Sequence, residues 1–373
     1  MKIRRKRIEM SKQNKNKTNI LIKTLKLIIT VAICLGLLFA LLVAYLSITE
    51  YKPEDVTKLK ILNNSSEEIS KGKEISLMTW NIGYGALGDN ADFFMDGGKM
   101  VNTATKKRLE SNLDNIESFV RDEGSDIQFF QEMDTNSYRS HHTNEYKRMG
   151  KVLSSSASAL AYNFKVKFIP YPIPPIGKVE GGISTFSGYK INSAERIKLP
   201  TPFKWPVRIA NLKRCLLVTK LPVADSDKEL VLINLHLEAF DDGSGKIEQT
   251  KKLKEYMDKE VAKGNYVIAA GDFNQTFSNI DTSMYPVVWD SWVAGLIDHK
   301  DIGNDYKMLM DNSAPTCRSN HRVYANRDPK KPYQYFMIDG FIVSNNVKVS
   351  DVSTKNLDFK SSDHNPVVLR FSL

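Results

Sequence analysis

The chain has 373 residues, 42% of them hydrophobic, enough apolar material for one large globular domain plus an appendage. Its three cysteines, Cys34, Cys215 and Cys317, exclude a disulfide scaffold, and none has a metal-ligand spacing, so free thiols are expected. The formal charge of +10 is uneven: residues 1–26 hold ten basic residues and one acid, Glu9, which accounts for +9 and leaves +1 for everything after them. A body so close to neutral argues against tight sequence-independent nucleic-acid binding, which needs many phosphate-neutralising Lys and Arg side chains.

In chain order, residues 1–26 read as a basic cytoplasmic tail. Residues 27–48, LIITVAICLGLLFALLVAYLSI, carry no charge and as a helix span about 30 Å, the thickness of the bilayer hydrocarbon. A cleaved signal peptide has a shorter apolar region ending at a small-x-small site; LSITEYKP offers none, so an uncleaved transmembrane helix is expected. The positive-inside rule then keeps the N-terminus in the cytoplasm and the rest of the chain outside. Residues 49–73 are polar, with a Pro and an Asn-Ser cluster, and read as a linker. The folded domain is expected over 74–373.

Within it, ISLMTW to Trp80 reads as a short apolar strand. Leu109, Leu113, Ile116 and Val120 mark one face of a helix over 105–123, stopped by Gly124. IQFFQE follows as a strand. LVLINLHL, Leu230 to Leu237, is nearly continuously apolar, as a strand buried on both faces would be. Ser244 is the expected cap of a helix carrying Ile247, Leu253, Met257 and Val261, ended by Gly264. YVIAA, FMIDGFIVS and VVLRFSL read as further strands. Strand–helix alternation mixed with hairpin-like pairs predicts an α/β sandwich of two packed sheets with outer helices.

The chemistry-bearing residues share one placement, at or near the ends of apolar strands. Asn81 follows LMTW, Glu132 follows IQFFQ, His236 lies in INLHL, Asp272 and Asn274 follow YVIAAG, Asp339 lies in FMIDGF, and Asp363 and His364 sit in SSDHNP. Any one of them alone reads as a turn, cap or core residue. Together they supply what hydrolysis of a phosphate ester needs: oxygens for a hard cation, groups to activate water, and donors for the developing charge. With no soft ligand set, Mg2+ or Mn2+ fits better than a thiolate-bound metal.

TWNIGYG, FFQEMD, NLHLEAF, GDFNQ, MIDGFIVS and SSDHNPV occur in that order, and in order and approximate separation the set resembles the endonuclease/exonuclease/phosphatase superfamily over about residues 74–373. The superfamily spans nucleases, sphingomyelinases and inositol phosphatases, and the chain looks like a membrane-anchored member of bacterial type. The resemblance implies a four-layer α/β sandwich, two mixed sheets flanked by helices, with the site at one end of the sheets. It implies metal roles for Asn81, Glu132 and Asp363, with Asn81 also near substrate. It assigns water activation to Asp272, phosphate or metal contact to Asn274, and donation to a phosphoryl oxygen to His236. His364 becomes acid, base or phosphate ligand, oriented by Asp339. A carboxylate that fixes a histidine's tautomer and raises its pKa is the physical logic of that pair.

Two features depart from the pattern. Gly340 stands where many relatives carry an aromatic, altering the wall beside Asp339. ALGDNADFFMDGGKM is a long stretch that reads as a substrate lid or as a surface loop with an apolar plug. Arg139 follows Glu132 closely and is a candidate phosphate partner; His141 and His142 are weaker. No aromatic hairpin suited to lipid insertion is evident, and PVVWDSWVAGL, with Trp289 and Trp292, comes nearest. The expectation is a monomeric hydrolase of phosphate esters acting outside the membrane on a small molecule, a lipid headgroup or nucleic acid. A surface nuclease and an inactive binding module on the same fold are the alternatives.

Overall fold

A computed structural model describes residues 1–373 and divides them into two units, Met1–Glu50 and Tyr51–Leu373. The first unit is one helix, α1 (Lys2–Ile48), into which the basic tail runs without a break. It is the one helix long and apolar enough to cross a membrane, with a mean hydropathy of 3.0 over its most apolar stretch.

The second unit is built on two sheets. The seven-stranded sheet has the order β1 (Val56–Lys58), β6 (Ser193–Lys198), β7 (Cys215–Pro222), β8 (Glu229–His236), β9 (Tyr266–Asp272), β15 (Asp339–Ser344) and β12 (Tyr306–Leu309). The six-stranded sheet runs β16 (Lys348–Thr354), β17 (Val367–Ser372), β2 (Ile75–Asn81), β3 (Ile127–Asp134), β5 (Gly177–Ser187) and β4 (Ala157–Ile169). Two short ribbons complete the strands: β10 (Gln275–Phe277) with β11 (Gly295–Ile297), and β13 (Cys317–Arg318) with β14 (Tyr335–Phe336).

Alternation along the strands fills three apolar layers. Ile75, Leu77, Ile127 and Phe129 of one sheet meet Leu230, Leu232, Ile268 and Phe341 of the other in the central core. On the outer face of the larger sheet, Val231, Ile233 and Leu235 pack on Leu253 and Met257 of α4 (Ser244–Val261). On the outer face of the other, Met78, Trp80 and Phe130 pack on Leu109, Leu113 and Ile116 of α2 (Lys106–Glu123) and on Met149 of α3 (Glu145–Val152). The result is the expected four-layer sandwich.

The predicted helix over 105–123 forms with Thr105 as its cap, whose side chain accepts from the Arg108 N–H, and with Gly124 at a φ of 62° ending it. The second helix departs from expectation at its start. Ser244 is its first residue rather than its cap; Asp241 accepts from the N–H groups of Gly245 and Lys246, and Asp242 from that of Ser244. Ile247 faces solvent, 69% exposed. A carboxylate suits the positive helix end better than a hydroxyl does.

The linker expectation for 49–73 is corrected. Val56, Thr57 and Lys58 pair with Ile197, Arg196 and Glu195, Leu62 bridges to Ser158, and Ile69 is fully buried and bridges to Val223. Leu59 and Ile61 pack on the central core. The polar composition concealed an edge strand in which only a few apolar residues carry the contact.

Candidate active site

Register creates the first half of the site. β8 and β9 are parallel and place His236 opposite Asp272; β9 and β15 are antiparallel and place Asp272 opposite Asp339. Three strands thus deliver a histidine and two carboxylates to one sheet edge. The other sheet supplies Asn81 at the end of β2 and Glu132 near the end of β3. Between Phe130 and Met133 the pairing of β3 with β5 shifts register, and Glu132 takes a φ of 54°. A bulge of this kind turns a side chain out of the ladder, and a positive φ at a non-glycine residue is found where a site requires it. Asp363 and His364 arrive on the loop before β17, which the Trp80 Nε1–H holds through the His364 carbonyl at 2.9 Å. Directly beneath, Thr79, Gln131 and Asn234 hydrogen-bond across the gap between the sheets, forming a polar floor under the site.

Gly83 in TWNIGYG has a φ of 51°, and a Cβ there would meet Asp363 Oδ1 at 3.0 Å and Leu87 Cβ at 2.9 Å. Only glycine lets that loop pass so close to the aspartate. Gly340 follows the same logic. A Cβ would lie 2.6 Å from the Leu309 carbonyl oxygen and 2.6 Å from Met310 Cγ, so β12 and Met310 fill the space beside Gly340.

His364 Nδ1 lies 2.8 Å from Asp339 Oδ2. Its Nε2 faces Asp272 Oδ2 at 3.7 Å and Asn81 Nδ2 at 3.4 Å. His236 Nε2 is 3.4 Å from the same Asp272 oxygen. Asn274 donates its backbone N–H to Asp272 Oδ1 at 2.9 Å. Glu132, His236, Asp272, Asn274, Asp363 and His364 line one cavity of about 470 Å3.

Burial sets the protonation of these groups. It pushes the Asp272 carboxyl up to about 7, with Asp339 adding to the rise and His364 opposing it. Burial also raises Glu132, against the pull of Arg139. The His236 imidazole is held well below its ordinary value by burial and by the nearby Arg214, His364 and Arg139, so it is neutral. Burial lowers His364 too, but it is outweighed by Asp339, Cys317 and Asp272, which hold the imidazole well above its ordinary value and favour the imidazolium.

Asn81 and Asp339 lie one layer behind the cavity wall. Asn81 gives its Nδ2 to Asp272 at 3.0 Å and Glu132 at 3.2 Å, and its Oδ1 accepts from the Gly83 N–H. It is placed to position the carboxylates rather than to meet substrate as expected. Arg139 reaches the cavity, but its Nε and Nη2 both bind Asp134 at 3.0 Å and its guanidinium lies 3.7 Å from the centre of the Tyr84 ring. It is a fixed cation in the wall rather than the open phosphate fork the sequence suggested. His141 and His142 bind Ala104 O and Asn136 Oδ1, away from the site.

The stretch after TWNIGYG folds over the cavity: Phe93, Phe94 and Asp96 line it. Asp96 accepts from the Asn320 N–H, while Asn320 Nδ2 donates to Asp363 at 2.6 Å. Burial and the charge of Asp363 push Asp96 up to about 6. Asn320 and Arg214 have no sequence signal; Arg214 faces the cavity as a buried pair at 3.7 Å with Glu238, which lies in the NLHLEAF block but is not among the residues expected at the site. Cys215 and Cys317 are free and buried, and Cys34 is free. Cys317 lies in the wall opposite His364.

Asp272, Asp339 and His364 present ligand atoms within 4.8 Å of one another. With Glu132, Asp363 and Asp96 they bring five carboxylates to the site, those of Asp272, Asp339 and Asp363 buried and those of Glu132 and Asp96 half-buried, while Arg139 is paired with Asp134 and Arg214 with Glu238. Such a set of hard oxygen donors fits a divalent cation of the Mg2+ or Mn2+ type.

A four-layer sandwich with carboxylates, amides and two histidines converging at its strand ends defines the class of α/β phosphoesterase sandwiches. The model of the Endonuclease/Exonuclease/phosphatase family matches residues 78–364, and the chain belongs to that family, whose members hydrolyse phosphate esters. An endonuclease/exonuclease/phosphatase from Beutenbergia cavernae superposes with a TM-score of 0.54 at 17% identity, over 81% of this chain and 72% of that one. TDP2 from D. rerio, complexed with single strand DNA product, superposes with a TM-score of 0.51 at 14% identity, over 81% of this chain and 100% of that one. At these identities the likeness is one of fold. No curated protein matches the chain.

Proposed function

We propose that this protein is a membrane-anchored, divalent-cation-dependent hydrolase of phosphate esters that works outside the cytoplasmic membrane. The observation that carries the reading is the convergence of Asp272, His236 and His364 on one point of the cavity, with Asp339 locked on His364 at 2.8 Å. Glu132 and Asp363, which share the cavity with Asn274, would hold the cation. When bound, the cation supplies Lewis-acid polarisation of a phosphoryl oxygen. Asp272 is the base: its two oxygens are fixed by Asn274 and Asn81, and it accepts a proton from the attacking water. Neutral His236 donates to a phosphoryl oxygen. The His364 imidazolium, kept charged by Asp339, stabilises the developing negative charge and returns a proton to the leaving group.

The test is a panel assay of the full chain in detergent with Mg2+, offering nucleic acids, sphingomyelin and inositol phosphates. Turnover of one class should vanish in EDTA and return with Mg2+ or Mn2+. Full turnover in EDTA, or none with any phosphate ester, would sink the reading. The single strand DNA product bound by D. rerio TDP2 makes a nucleic-acid substrate the second reading. It predicts steeply salt-dependent DNA cleavage, which a body of about one net positive charge does not favour.

A further inference from the structure

The mouth of the cavity is rimmed by apolar side chains that the fold leaves in solvent. The turn between β4 and β5, FIPYPIPPI, exposes Phe168, Tyr171 at 71% and Ile173 at 94%. Beside it the segment PFKWPV exposes Trp205 and Val207, each at 59%. The two segments are neighbours: Ile169 and Val166 pack with Ile176 and Ala210, and Tyr171 sits 6.3 Å from Phe94. Both join the cavity wall, through Ile169, Tyr171 and Ile176 on one side and Phe203 and Ala210 on the other. Contiguous apolar surface of this kind on a folded body marks an interaction site.

Charge says what the site meets. Residues 164–178 contain Lys165, Lys167 and Lys178 and no acid, although Lys178 pairs with Glu180; in the second segment Lys204 is the exposed cation, since Lys213 and Arg214 are buried and Arg214 pairs with Glu238. Lys167 and Lys204 are exposed next to Phe168 and Trp205. Tyr and Trp rings flanked by lysines form the pairing that seats at the boundary between headgroups and acyl chains of an anionic bilayer. The chain also carries one helix long and apolar enough to cross a membrane. We propose that this rim docks on the surface of a bilayer rich in anionic lipid, with Tyr171, Ile173, Trp205 and Val207 entering the headgroup layer and Lys165, Lys167 and Lys204 meeting lipid phosphates. The docked rim turns the cavity mouth toward the lipid surface. The docking surface stands independently of the hydrolase reading.

The experiment uses the full chain reconstituted into vesicles with bromine-labelled acyl chains, which quench nearby tryptophan fluorescence. The apolar run of the first helix contains no tryptophan, so the difference between wild type and Trp205→Phe isolates Trp205. In vesicles containing phosphatidylglycerol, wild type should be quenched at least about twofold more than Trp205→Phe. Ile173→Asp, and the pair Lys167→Glu with Lys204→Glu, should lose most of that difference, as should vesicles of phosphatidylcholine alone. Equal quenching in wild type and Trp205→Phe would overturn the proposal. So would quenching indifferent to lipid charge and to the lysine reversals. Hydrolysis of a soluble nitrophenyl phosphate diester should be unchanged in all variants. Absence of turnover of every phosphate ester in the panel, with quenching intact, would remove the hydrolase reading and leave the docking surface standing.

Discussion

Asp272 and His364 both bind protons more tightly in the folded protein than in the unfolded chain, as do Glu132 and Asp96, while His236 binds them more weakly and acts in the opposite direction. Asp272 is pushed from 3.8 up to about 7, and His364 is held above 6.5. With both folded values raised, their contribution to stability is present at low pH. It is lost as pH rises, first from about 4 to 7 through Asp272 and then above 6.5 through His364. The melting temperature in EDTA should therefore fall between pH 5 and 8, and Asp272→Asn should flatten the lower part of that fall while abolishing turnover. An unchanged slope in Asp272→Asn would place the titration elsewhere. His364 is the second residue to test. Asp339→Asn removes the charge that keeps its imidazole protonated, so kcat should drop by about 10²–10⁴, and the alkaline limb of the pH–rate profile should move to lower pH. A lower rate with an unmoved limb would make Asp339 merely structural.

Elements hold these side chains at fixed separations, and the glycine in β15 shows how tightly. Because a Cβ at Gly340 would lie 2.6 Å from the Leu309 carbonyl on β12, Gly340→Ala should cost about 1–3 kcal/mol in urea unfolding, the usual cost of forcing atoms into a packed core. No change in midpoint would mean β12 moves aside freely. The segment before β2 gives a second test. Ile69 is fully buried and Leu59 and Ile61 lean on the core, so a body begun at residue 74 should be less stable than one begun at 51. Losing even one such aliphatic side chain costs about 2–5 kcal/mol. Identical unfolding curves would restore the segment to the role of a linker.

At the scale of the whole molecule, the expected location rests on one helix and one charge cluster. By the positive-inside rule, the run 27–48 and its +9 flank predict a body outside the membrane. Protease added to intact cells should digest the body while the basic tail survives. Recovery of the chain free in the medium, with a new N-terminus near residue 50, would make the helix a signal sequence.

The sequence alone determined β2, β3, β8, β9, β15 and β17, the α2 helix and the order of the motif blocks, because apolar periodicity and the caps of a helix are local properties of the chain. It also marked most of the residues that converge on the cavity as candidates, since they stand at or near strand ends where an apolar run stops. Tertiary structure decided what pairing and burial control. Strand register put His236, Asp272 and Asp339 side by side, and the order of the strands in a sheet is not written in any one of them. Arg139 was taken by Asp134, Asn81 was set behind the wall, and Asn320, hydrogen-bonded to Asp363, was brought to Asp96 across 224 residues of chain. Residues 51–73 joined the body because a few apolar side chains found the core, which composition averaged over a polar segment conceals. The apolar rim was equally hidden: FIPYPIPPI reads like core, and only the packing of the loops around it decides that Tyr171 and Ile173 remain in water.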